Sequence, residues 1–125
     1  MKNNLESLEM HQELNDWKSD LDLFHVENKT FLKLFEIVEN KNTGNEASGE
    51  IAKYINKLKL LNEEAIEMNN SIQIRQHQLS SKSLSEQKEE IFIEDDTELR
   101  EDFKIFRNDI KNFKHEFHNF ILKWI

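Results

Sequence analysis

The sequence predicts an all-α protein folded as an elongated antiparallel up-down-up three-helix bundle, and three observations lead there. The 125 residues include two Gly and no Pro, and 34% are charged. That composition leaves sheets without turn residues and suits long helices. Apolar residues recur at alternating spacings of four and three, the heptad pattern of helices packed along a seam. Acids and bases border those seams in an order that depends on the direction each helix runs.

The two glycines, Gly44 and Gly49, fall in KNTGNEASGE, and a second weak point lies in QKEEIFIEDDT near residues 87 to 97. Two breaks give three helices, expected at about 4–41, 46–87 and 96–125, within one helical-bundle domain over 1–125. Thr43 and Glu46 have capping-box spacing for the second helix, and Asp95 and Glu98 offer an Asp variant for the third. At about 1.5 Å per residue the first two helices would exceed about 50 Å in length.

In the first helix the core positions are Leu14, Trp17, Leu21, Phe24, Asn28, Phe31, Phe35 and Val38, with Asn28 as a register mark. The second helix gives Ile51, Tyr54, Leu58, Leu61, Ala65, Met68, Ile72, Arg75 and Leu79. A cation at a core position needs an acidic or solvent-exposed neighbour, so Arg75 is expected to have one. The third gives Leu99, Phe103, Phe106, Ile110, Phe113, Phe117, Phe120 and Trp124, a seam dominated by phenylalanine.

The e positions of the first helix are His11, Lys18 and His25, and its g positions are Glu13, Asp20 and Glu27. The third helix repeats the pattern with Arg100, Arg107 and Lys114 at e, and Asp102, Asp109 and Glu116 at g. Parallel helices bring g of one against e of the other, so the first and third are complementary when they run the same way. The second helix carries Ile55, Asn62, Asn69 and Gln76 at e, mostly neutral, as suits an antiparallel strut.

Composition also narrows function. With no Cys, disulfides, thiol nucleophiles and Cys-ligated metals are excluded. A net charge of −8 repels phosphate backbones and anionic lipid, so neither nucleic acid nor a membrane is expected as partner. No apolar run approaches the roughly 18 residues of a membrane span, and MKNNLESLEM lacks the apolar stretch of a signal peptide, which points to a cytoplasmic protein. The glycine spacing matches neither phosphate-binding motif, and DDTELRED has no calcium-loop glycine.

Two candidate sites remain. His11, Glu13, His77, Asp102 and Asp109, drawn from three helices, form the set that would take a divalent metal ion, in a metal-binding bundle or a metal-dependent enzyme. That set assumes residue i of the first helix lies level with residue 87 minus i of the second, and that Arg107 and Asp109 sit at the same height. Arg75 and Arg107 beside it oppose cation binding and favour a network of salt bridges. At the other end, Leu32, Leu34, Ile37, Ile55, Leu60, Ile121, Leu122 and Ile125 extend the apolar surface beyond one seam. Those residues predict a homodimer or a helical protein partner, and a non-enzymatic interaction or scaffold module with no cofactor.

His11, Trp17, Leu21, Phe24, Glu27 and Phe31, followed by Leu99-Arg100 and the terminal FHNFILKWI, form a pattern that resembles a group of small uncharacterised bacterial helical proteins. The resemblance implies a bacterial cytosolic protein and brings no activity with it.

Overall fold

The computed structural model describes residues 2–42, 44–80 and 89–125, with side chains over 8–42, 44, 46–80 and 96–125. Three helices follow one another: α1 (Lys2–Lys41), α2 (Asn45–Ser80) and α3 (Glu89–Trp124). They pack as the all-α three-helix bundle that the heptads predict. α1 ends where its pattern ends, and Asn42 caps it, its side-chain amide donating to the Val38 carbonyl at 3.0 Å. Thr43 of the expected capping box lies outside the described residues, as do residues 81–87, where the second helix was expected to end.

The third helix differs from expectation. It is already helical at Glu89, so Asp95 lies within it and cannot be its N-cap. The acid-rich stretch contains no Gly or Pro to stop a helix. Counting three residues back from Leu99 places Asp96 on the next core position, where it meets Arg75 of α2. Arg75 Nε and Nη2 donate to the two carboxylate oxygens of Asp96 at 2.5 and 2.9 Å. Both residues are buried, at 8% and 7% exposure, and the acidic neighbour that Arg75 requires is therefore in place.

The remaining core positions carry the hydrophobic interior. Leu14, Trp17, Phe24 and Phe35 of α1, Leu58 and Ile72 of α2, and Phe103, Phe106, Phe113, Phe117 and Phe120 of α3 are all buried. The rings interlock along the α1·α3 seam. Trp17 stacks on Phe103 with centroids 4.9 Å apart, Phe24 meets Phe106 edge-on at 5.9 Å, and Phe35 meets Phe117 edge-on at 5.2 Å. Each step moves up both helices together, as parallel packing demands.

The borders repeat that direction. Arg100 bonds Glu13, Arg107 bonds Asp20 and Lys114 bonds Glu27, every pair 87 residues apart in the chain. These are the expected contacts from g of α1 to e of α3, repeated heptad by heptad. Each exposed rung contributes only about 0 to 1 kcal/mol, so the ladder selects direction and offset more than it adds stability.

The α1·α2 border is neutral by comparison. Asn28 donates to Asn62 inside the bundle, and Gln76 donates to Asn15 at 3.2 Å on the surface. These two contacts set residue i of α1 level with about residue 90 minus i of α2, a helical turn away from the expected 87. Asn28 is 7% exposed, and its side-chain oxygen has no hydrogen-bond partner among the described residues.

Candidate functional site

The register just described separates the residues expected to bind metal. Glu13 is held by Arg100 through two hydrogen bonds of 2.8 and 2.9 Å. Arg107 is one heptad further along, at the height of Asp20, so Arg107 and Asp109 do not share the height of Glu13. Asp102 and Asp109 are themselves separated by about 10 Å along α3, too far to ligate one ion. Asp102 borders a groove with Arg75, Asp96 and Ile74, whereas Asp109 borders another with Glu64 and Leu60. His11 is half-buried and His77 exposed. Among the described residues no three His, Asp or Glu side chains form a group that could hold a metal ion.

The hairpin end, where α1 turns into α2 and α3 finishes, combines apolar surface with a polar clasp. Leu34 and Ile121 pack partly against the core. Leu32, Ile37, Ile55, Leu60, Leu122 and Ile125 remain exposed, at 40% to 69%. Leu32 and Ile55 occupy e positions on the α1·α2 border, while Leu60 borders α3, so the exposed side chains ring this end. Beside them, Asn42 donates to the Trp124 carbonyl at 3.2 Å, and the Trp124 indole donates to Glu50 at 2.6 Å. Lys123 donates to the other Glu50 oxygen at 2.7 Å. These bonds hold the Glu50 carboxyl below its ordinary value of 4.5, the Lys123 bond being the largest cause and Trp124 the next. Glu50 and Asn42 are contributions that the heptad pattern did not reveal, since neither occupies a core position.

A third region emerges on the α2·α3 border, where antiparallel packing brings g against g. Glu50 pairs with Lys123, and seven residues along each helix Lys57 pairs with Glu116 at 2.7 Å. The following rung brings Glu64 beside Asp109, and both line one groove over Leu61 and Phe113. The Glu64 carboxyl is pushed above 4.5 by desolvation first, then by the charges of Asp109 and Glu67. His115 and His118 of α3 are exposed and lie away from this groove on outer positions.

No helix among the described residues is long and apolar enough to cross a membrane. Compared with protein-family models, curated proteins and solved structures, the chain matches none.

Proposed function

We propose that this chain is a non-enzymatic helical interaction module that self-associates through its hairpin end. The observation that carries this reading is the exposure of Leu32 and Ile55, at 50% and 40%, on a border otherwise lined by amides. The bundle already fills its core with aromatic and aliphatic side chains, so these residues are surplus to the fold. Burying apolar area against a second copy is worth about 25 cal/mol per Å² before the entropy of association is subtracted. A twofold arrangement would place the same ring of side chains on both partners.

Sedimentation across a wide range of protein concentration tests the reading. A dimer is expected, and Leu32→Lys with Ile55→Lys should return it to a monomer of unchanged helical content. A wild-type protein that remains monomeric throughout overturns the proposal.

A further inference from the structure

The α2·α3 border contains an irregular rung. Opposite charges meet at Glu50–Lys123 and at Lys57–Glu116, but the next step of the ladder sets Glu64 beside Asp109. Neither carboxylate has a Lys or Arg partner among the described residues. Like charges facing one another across a helix pair oppose packing, and here they sit over an apolar floor of Leu61 and Phe113.

An independent feature surrounds them. Leu60 and Ile74 on α2 and Ile105 on α3 occupy the outward positions flanking this border, each more than half exposed at 60%, 61% and 54%. Leu60 and Ile74 are separated by about 21 Å along α2, the length of four turns. The groove thus has an acidic centre between aliphatic margins. A second copy of the same face would set carboxylates against carboxylates, and nucleic acid carries the wrong sign. Lys and Arg suit the groove because their aliphatic stems cover apolar surface while the charged head reaches a carboxylate.

We infer that the α2·α3 groove docks a basic amphipathic helix of a partner protein, whose Lys or Arg inserts between Glu64 and Asp109 while its aliphatic residues cover Leu60, Ile74 and Ile105. The inference deepens the reading of the chain as an interaction module, yet it uses a face separate from the hairpin end. Failure of self-association leaves it standing, and its own failure leaves self-association standing.

Fluorescence anisotropy with a labelled leucine/lysine amphipathic peptide of about 18 residues, roughly 27 Å as a helix, tests it. A peptide with glutamate in place of lysine is the control. The lysine peptide is expected to bind the wild-type protein, the glutamate peptide not to bind. Glu64→Gln with Asp109→Asn should weaken binding about tenfold, and Leu60→Ser with Ile105→Ser should weaken it comparably. The charge-matched pair Glu36→Gln with Glu39→Gln, on α1, should change it less than about twofold.

Lack of binding overturns the proposal. Equal losses in the two carboxylate pairs also overturn it, since they would trace the affinity to net charge alone. An unchanged affinity in the serine pair overturns it by showing attraction to the carboxylates without docking. Displacement of the peptide by calcium, beyond that of sodium chloride at equal ionic strength, would make the groove a cation site and overturn it. Loss of a wild-type dimer in the Glu64→Gln, Asp109→Asn variant would assign the groove to a second copy, with the same consequence.

Discussion

Asp20 of α1 and Arg107 of α3 stand at the same height on helices that run the same way, 87 residues apart in the chain, joined through the guanidinium Nε at 3.0 Å. The identical offset at Glu13–Arg100 and Glu27–Lys114 makes this rung one member of a periodic ladder. Reversing one charge, with Asp20→Arg or Arg107→Asp, should lower stability by up to about 1 kcal/mol, and combining both should restore most of it. Urea midpoints of the four proteins form the required double-mutant cycle; independent effects would remove the ladder's part in alignment.

The buried Arg75–Asp96 pair should behave differently. Asp96→Ala leaves a guanidinium stranded where the side chains of the pair are only 10% and 9% exposed, and should cost about 3 to 5 kcal/mol. Replacing both residues, with Arg75→Met and Asp96→Leu, should leave stability within about 1 kcal/mol of wild type or above it. Thermal unfolding of both variants measures the contrast.

Asn28 reads as a specificity device. Its amide reaches Asn62, but its oxygen is buried without a partner among the described residues. Asn28→Val should therefore raise stability by about 1 kcal/mol while broadening the amide resonances of α1 and α2, as alternative registers become populated. A fall in the urea midpoint would show that the Asn28–Asn62 bond is net stabilising.

The two perturbed glutamates oppose each other with pH. Glu64 holds its proton more tightly in the folded state than at the ordinary 4.5, so its favourable contribution is complete below that value and is lost as pH rises through the raised one. Glu50 is lowered, so its contribution is present above 4.5 and disappears as pH falls through the lowered value. Glu64→Gln should raise the neutral-pH melting temperature and bring no gain in acid. Glu50→Gln should lower it at neutral pH alone. Melting curves across the acid range distinguish the two.

Gly49 lies within α2, has no positive φ, and has open space where a Cβ would go. Gly49→Ala should add about 0.5 to 1 kcal/mol by reducing the entropy of the unfolded chain and favouring the helix. Chemical denaturation measures the gain directly.

Much of this arrangement was legible because the heptad fixes which residues of one helix share a face. The seam of Phe103, Phe106, Phe113, Phe117 and Phe120, the acids and bases of the α1·α3 border, and the need of Arg75 for an acid all follow from position within the repeat. Relations between helices were less accessible. Periodicity is unchanged when one helix slides by a turn or a heptad, which is why the grouping of His11, Glu13 and His77 with Asp109 did not survive the true offset. Asp96 was obscured because clustered acids resemble a helix start in local sequence, and only its distant partner Arg75 makes it a core residue. The Asn42–Trp124–Glu50 clasp was hidden similarly, since it joins three helices at residues that share no pattern.

Parallel alignment of α1 and α3 has a mechanical consequence. Met10, whose sulfur receives a contact from Arg100 at 3.3 Å, lies at one extremity of the rod, and Trp124 lies at the other beside Asn42. Tension applied between those extremities would act along the rungs in shear, straining every ionic step and stacked ring together instead of peeling them off singly. Such a geometry makes the bundle a stiff spacer, able to hold whatever its two extremities engage at a distance set by helix length.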